Sequence, residues 1–393
     1  MTTTSAPSTF TIPSLTARPP RLISLDVLRG LTIAFMILVN NNGNEAAAYW
    51  PLKHADWNGF TPTDLVFPTF LFLVGVSTVF STASRLAQGA TRRSLFLHVV
   101  RRSVILYLLG LVVNSFPYFH LHTMRFYGVL PRIAICYLIV ASLYLISLGW
   151  RSQTGLAVAA LAGYWILMRF VPVPGHGLPG HDIPLLDRDA NLTAWLDRQI
   201  FPASHLYERT RDPEGLLSTL PAVATTLFGV LTGLWLRTQR SLTAKAGGIA
   251  IAGVSSVLLG SLWNLSFPIN KKLWTSSYVL FAGGLSLLLL ALCLMIVDLP
   301  EKSSLRPRSG FLMPFLVFGT NAISAYVLSE LLQSTLGSIH LHHGLNLQQL
   351  LYLAIQRVVP GPAIASLLYS LGFVAVCWLF MVILYRRNIF IKV

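Results

Sequence analysis

Apolar residues in this chain come as long runs rather than as strict alternation or a narrow amphipathic stripe. The first run, Leu31 to Val39, follows Arg29 and ends in Asn40, Asn41, Asn42 and Asn44. Nine stretches free of Asp, Glu, Lys and Arg come after it: Leu65 to Ser84, Ser103 to Met124, Ile133 to Trp150, Ser152 to Met168, Gly215 to Leu236, Ala246 to Asn270, Leu273 to Val297, Ser309 to Ser329 and Val358 to Tyr385. A hydrocarbon core about 30 Å thick is crossed by about 20 apolar residues of helix. The pattern therefore predicts an all-α polytopic membrane protein with about ten transmembrane helices. The Gln348 to Val359 stretch is apolar but short, and Pro360 and Pro362 close it. It reads as a re-entrant or interfacial helix, or as an eleventh span.

Composition agrees. Of 393 residues 54% are apolar and 11% charged, against about 25% charged in soluble domains. Ten spans of about 20 residues use half the chain, so one transmembrane domain over residues 21–393 is expected. Residues 1–20, rich in Ser, Thr and Pro, cannot bury a core and read as a disordered tail. A cleaved leader is the competing view, since Arg18, Arg21 and Arg29 precede the first run and Ala46, Ala47 and Ala48 follow it. Asp26 and the asparagines beside that run argue instead for a retained helix.

The net charge of +15 reports topology rather than nucleic acid, because the basic residues mostly flank apolar runs. One side collects Arg18, Arg21, Arg29, Arg85, Arg92, Arg93, Arg101, Arg102, Arg151, Arg237, Arg240, Lys245, Lys302, Arg306, Arg308, Arg386, Arg387 and Lys392. That excess puts both termini in the cytoplasm. The outer loops then include residues 43–61, 172–214 and 334–357, the longest and most polar, and loops of that length commonly carry function. Pro172, Pro174, Gly175, Gly177, Pro179 and Gly180 make an irregular connection, followed by an interfacial helix near Leu192 to Ile200 with Trp195 as anchor. Cys136, Cys293 and Cys377 lie inside apolar segments and offer no disulfide. His120 with His122, His176 with His181, and His340, His342 and His343 lack the spacing and partners of a closed metal site. No metal is expected.

The densest polar cluster follows the first run: the asparagines, then Lys53, His54, Asp56, Trp57, Asn58 and Asp64. Ionisable groups at membrane depth are costly unless they pair or work. The plain alternative is a solvated loop, with Asp64 capping a helix started by Thr61 and Pro62.

Several segments resemble one family. They are R-L-I-S-L-D-V-L-R-G (21–30), V-N (39–40), K-H-A-D-W-N-G (53–59), T-D-L-V-F-P-T-F-L-F-L-V-G (63–75), G-V-L-P-R-I (128–133), D-P-E-G-L-L (212–217), I-N-K-K-L-W-T-S-S-Y (269–278) and G-T-N-A-I-S-A-Y-V (319–327). In this order they resemble the heparan-α-glucosaminide N-acetyltransferases and their bacterial homologues. The resemblance implies transfer of acetyl from cytosolic acetyl-CoA to the amino group of a glucosamine-type sugar across the membrane. His54 matches the family's essential histidine, in a loop that the charge count places outside. In a bacterium that side is the periplasm and the membrane the inner membrane. The resemblance implies a bacterial homologue, expected without the animal enzyme's lumenal N-terminal region and extra span, and the animal relatives imply a homodimer.

Amine attack on a thioester needs a base and a donor to the developing oxyanion. His54 suits the first task, Asn40 matches an active-site asparagine suited to the second, and Asp64 is placed to orient His54 as a carboxylate does in a triad. Direct transfer is favoured over an acetyl-His54 intermediate. Asp212 and Glu214 match the D-P-E-G element and suit sugar hydroxyls or the acceptor ammonium, with capping as the bland reading. Trp57, Asn58, Asn270 and Lys271 complete the expected acceptor site, though Lys271 beside Trp274 also suits an interfacial anchor. For acetyl-CoA the candidates are Arg29, the best placed, and Arg92, Arg93, Arg101 and Arg102, with Ser277 and Asn321 lining a polar shaft. Two departures bear on the acceptor pocket: Lys272 where Asn is common, and Ser329 where a His often precedes Glu330. The rivals are an amino-sugar transporter, for which inverted repeats are lacking, and an O-acyltransferase of envelope polysaccharide.

Overall fold

The structure is a computed structural model that describes residues 22–299, 310–341 and 344–391. The tail read over residues 1–20, and Arg21, Lys302, Arg306, Arg308, His342, His343 and Lys392, lie outside the described residues.

Among the described residues the chain folds into thirteen α-helices: α1 (Ile23–Asn40), α2 (Val66–Ala87), α3 (Arg92–Ser115), α4 (Val129–Ile146), α5 (Trp150–Phe170), α6 (Leu192–Ile200), α7 (Thr219–Leu236), α8 (Leu242–Trp263), α9 (Ser276–Cys293), α10 (Met313–Thr320), α11 (Ala322–Ser338), α12 (Leu347–Val358) and α13 (Pro362–Arg386). Each of the ten apolar runs becomes helix. Among the described residues eight helices have the length and apolarity to cross a membrane, and the α10–α11 pair would make a ninth span. The tenth run is α5, whose 21 residues carry Arg151 and Arg169 near its two ends. The protein is a multi-pass helical membrane protein.

Two elements differ from the runs that announced them. The Ser309 to Ser329 run reads as one straight span, yet the helix breaks at Asn321 and turns by 86°. The short run before Pro360 forms α12, whose 12 residues reach only about 18 Å at 1.5 Å per residue. That is too short to cross, which favours the re-entrant or interfacial reading over an eleventh span.

Close helix approach rests on small residues. A Cβ on Gly75 of α2 would run into the Thr226 carbonyl of α7, and one on Gly229 into the Phe72 carbonyl. Without side chains between them the two backbones touch, as small-residue interfaces allow in membranes. The resulting core joins α1, α2, α4, α7, α9 and α13 around Ile33, Leu71, Cys136, Leu227, Tyr278 and Cys377, all buried. Lipid-facing helices keep apolar residues exposed instead, such as Ile251, Leu258 and Leu262 on α8 and Leu379 and Ile383 on α13. The start of α1 lacks a capping side chain at Leu22. Asp298, far along the chain, supplies one: its two oxygens accept from the Ile23 and Ser24 amides, each at 3.1 Å.

Candidate active site

The site gathers where the loop 41–61, the 203–218 segment and the 264–275 turn meet above α1, α2, α4 and α9. The Thr61–Pro62–Thr63–Asp64 segment is a short 3-10 turn leading into α2, with Pro62 in its first position and a capping box between Thr61 and Asp64. The capping reading of Asp64 is thus correct, and it is only half of what this side chain does. Its Oδ2 accepts from the amides of Thr61 at 3.0 Å and Ala55 at 3.1 Å, while Oδ1 lies 2.6 Å from His54 Nδ1. The carboxylate is fully buried, whereas 40% of the His54 side chain is exposed.

This pairing sets the tautomer. A carboxylate accepts, so Nδ1 carries the proton and Nε2 the lone pair, and Nε2 has no hydrogen-bond partner among the described residues. Burial, and then the Lys271 ammonium, push the imidazole below its ordinary 6.5, against the upward pull of Asp64. His54 is therefore neutral at pH 7, with its basic nitrogen open.

Lys271 reaches this position because its turn is stitched to the histidine loop. Gly59 N donates to Ile269 O at 2.8 Å, and Asn270 Nδ2 donates to Asn58 Oδ1 at 3.1 Å. Asn270 Oδ1 accepts from Leu273 N, and Thr275 Oγ1 accepts from Asn270 N. Burial lowers Lys271 below its usual value, opposed by the charges of Glu214 and Asp64. Its ammonium has no hydrogen-bond or ion-pair partner among the described residues.

The D-P-E-G element is held by a residue that the sequence reading passed over. Arg125 meets Asp212 with Nε at 2.7 Å and Nη2 at 2.5 Å, and Nη2 also meets Glu214 at 2.5 Å. Its guanidinium stacks over Tyr207. Burial opposes the Arg125 charge, but the Asp212 hydrogen bonds and both carboxylates raise its pKa further. Burial likewise opposes ionisation of Glu214, and Arg125, then Lys271 and Arg132, hold it below the usual range. Arg132, from G-V-L-P-R-I, is fully buried, donates to Gly215 O at 3.0 Å and to Ser218 Oγ, and stacks on Trp274. Behind them Asp197 of α6 accepts from Leu216 N at 3.0 Å. A Cβ at position 215 would run into that carboxylate, which explains the glycine of the element. Arg125 left one signal in the sequence: a cation between two apolar runs, three residues before Gly128.

Trp57 donates to Leu186 O at 2.8 Å and contacts two guanidinium groups, Arg188 and Arg211. Lys272, one of the two departures, binds Glu208 at 3.0 Å. The other, Ser329, turns its hydroxyl to Tyr326 O. Asn40 ends α1, exposed, with Nδ2 3.4 Å from Glu330 Oε1 on α11. Glu330 is a second polar residue that drew notice only as a neighbour of Ser329.

The heparan-alpha-glucosaminide N-acetyltransferase catalytic family matches residues 21–264. The chain belongs to this family. It is 31% identical over 370 residues to the Homo sapiens heparan-alpha-glucosaminide N-acetyltransferase, covering 81% of this chain and 54% of that protein. The Mus musculus protein of the same name is 30% identical over 366 residues, covering 80% and 54%. The chain spans about half the length of these curated relatives.

In this acetyltransferase family member the residues expected on the donor side are dispersed. Arg29, eleven residues before Asn40 and so about 16 Å down α1, bonds Asp26 at 3.0 Å and Ser77 at 2.9 Å. Asn321, at the α10–α11 break, uses both side-chain groups on the C-terminal segment, donating to Ile389 O at 3.0 Å and accepting from Ile391 N at 2.9 Å. Ser277 is buried against Thr275 Oγ1. Arg102 stacks over Tyr137 with its Nε buried and without a hydrogen-bond partner. Arg92 donates to Leu145 O. Among the described residues no three His, Cys, Asp or Glu side chains gather as metal ligands.

Proposed function

We propose that this protein transfers acetyl from acetyl-CoA to the amino group of a glucosamine-type sugar, with His54 as general base. The observation that carries the reading is the buried Asp64 carboxylate on His54 Nδ1, in a chain of this acetyltransferase family. It leaves a neutral imidazole with Nε2 open, which is what removal of a proton from an attacking amine requires. The nitrogen attacks the thioester carbon, a C–N bond forms, and the carbonyl oxygen becomes an oxyanion. The C–S bond then breaks, and the proton taken by Nε2 passes to the leaving thiolate. The Asn40 amide has two hydrogens; one faces Glu330, and the other serves the oxyanion.

The donor enters from the cytoplasm, where Arg29 and Arg102 attract its phosphates and Ser277 and Asn321 line the path of the pantetheine arm. Trp57, Asn58, Asn270 and Lys271 surround the acceptor on the periplasmic face of the inner membrane, with Asp212 and Glu214 supporting that wall through Arg125. A homodimer and cytoplasmic termini belong to the same reading.

The test uses the full chain in liposomes, with labelled acetyl-CoA on one side and glucosamine on the other. Wild type forms N-acetylglucosamine, and His54→Ala lowers the rate about 10²- to 10⁴-fold, the range for a lost acid–base catalyst. Equal product from the variant removes His54 as the base. Product from a hydroxyl sugar alone transfers the reading to O-acylation.

A further inference from the structure

Most carboxylates around the site have basic partners, and Asp197, which has none, is buried against the Leu216 amide. Asp64 has His54, Asp212 and Glu214 share Arg125, Glu208 has Arg211 and Lys272, and Asp56 has Arg188. Glu330 has no basic partner among the described residues. It stands near the middle of α11, half-buried, and its hydrogen bond from Asn40 Nδ2 is long at 3.4 Å. A carboxylate at membrane depth without a cation is costly to keep. The cost is relieved if a cation arrives with the substrate.

The location fits that role. Asn40 and Glu330 share one edge of the site, and Asn42 ties the end of α1 to the histidine loop by donating to Val39 O at 3.0 Å and Leu52 O at 3.3 Å. Tyr326, one turn before Glu330 on the same face of α11, is buried beside Met36 of α1, Phe70 of α2 and Leu130 of α4. Glu330 therefore stands one turn of α11 from side chains of α1, α2 and α4.

The D-P-E-G carboxylates are poorly suited to an ammonium. Arg125 occupies both, and Arg125, Lys271 and Arg132 together surround Glu214 with positive charge. A protonated amine would be repelled there. Glu330 has the Asn40 amide as its hydrogen-bond partner and no cation within ion-pair distance among the described residues.

We propose that Glu330 is the anionic subsite that receives the ammonium of the amino-sugar acceptor, beside Asn40. It rests on the amino-sugar reading of the site. The carboxylate selects a protonated primary amine over a neutral sugar by a charge-assisted hydrogen bond and sets the nitrogen next to the asparagine that would receive the oxyanion; one ammonium proton leaves to solvent before attack, and His54 takes the second.

Binding separates this from turnover. Glucosamine and glucose, which differ by one charged group, are titrated calorimetrically into the full chain in detergent, as wild type, Glu330→Gln and Glu330→Asp. Wild type is expected to prefer glucosamine by about tenfold or more, as one charge-assisted hydrogen bond implies. Glu330→Gln abolishes the preference without weakening glucose binding, and Glu330→Asp keeps part of it. A preference that survives in Glu330→Gln, or none in wild type, overturns the subsite. In the liposome assay Glu330→Gln raises the KM for glucosamine and leaves the KM for acetyl-CoA unchanged; parallel changes in both would mark a structural role and overturn it. A wild type that selects glucosamine but never acetylates it overturns acetyl transfer and leaves the subsite standing.

Discussion

Asp64 divides its carboxylate between His54 and two backbone amides, with His54 Nδ1 at 2.6 Å from Oδ1 and the Thr61 and Ala55 amides at 3.0 and 3.1 Å from Oδ2. One buried group thus both starts the second span and fixes the imidazole. Asp64→Asn should separate these roles. Its amide oxygen can still accept at the helix start, while loss of the charge unsettles the tautomer. Acetyl transfer should fall about 10²- to 10⁴-fold, against a stability loss of about 1 kcal/mol from the weakened cap. Steady-state rates and thermal unfolding in detergent check both, and an unchanged kcat would remove Asp64 from the mechanism.

Lys271 should move the pH profile. Activity requires neutral His54 and is lost as pH falls through its pKa, which burial and then Lys271 hold below 6.5. Lys271→Met keeps the bulk and removes the charge, so the imidazole pKa rises and the acidic limb of kcat moves to higher pH. The acceptor amine titrates identically in both proteins, so the displacement between the two profiles reports the enzyme. Superimposed acidic limbs would show that the lysine charge does not reach His54.

Arg125 should matter most for stability. It holds Asp212 and Glu214, both buried, and removing one member of a buried ion pair costs about 3–5 kcal/mol. Arg125→Ala should lower the unfolding midpoint sharply, and adding Asp212→Asn and Glu214→Gln should recover much of the loss by removing the stranded charges. A single variant as stable as wild type would mean that the D-P-E-G turn is held by Arg132 and the backbone.

Asp197 should give stability its own pH dependence. It is fully buried, and burial first, then the charge of Asp212, raise its carboxyl from 3.8 to about 7. A raised folded value means that the folded chain holds the proton more tightly than the unfolded one. The associated stability is present in full below 3.8 and is lost as pH rises to about 7, on the order of 4 kcal/mol across that window. Relative to Asp197→Asn, wild type should therefore lose thermal stability between these values and run parallel above them. A constant difference between the two unfolding curves would mean that Asp197 is ionised in the fold throughout.

Much of the protein is legible in the chain itself, for physical reasons that need no tertiary contact. A helix in lipid must satisfy its own backbone and expose apolar side chains, so each of the ten apolar runs declares itself locally and each becomes helix. His54, Asp64 and the D-P-E-G pair were likewise visible, because charged and amide groups beside spans stand out against such a background. The bend at Asn321 was not, since a single Asn in an apolar run is tolerated inside a helix; what turns the chain there is Asn321 committed to Ile389 and Ile391, some 70 residues away. Nor could spacing show that Arg125 occupies Asp212 and Glu214, 87 and 89 residues on, or that Asn40 meets Glu330 across 290 residues. Local sequence determines which segments cross and which residues are costly to bury. Which charge answers which is settled only when the helices pack, because an ion pair depends on distance in space and carries no period along the chain.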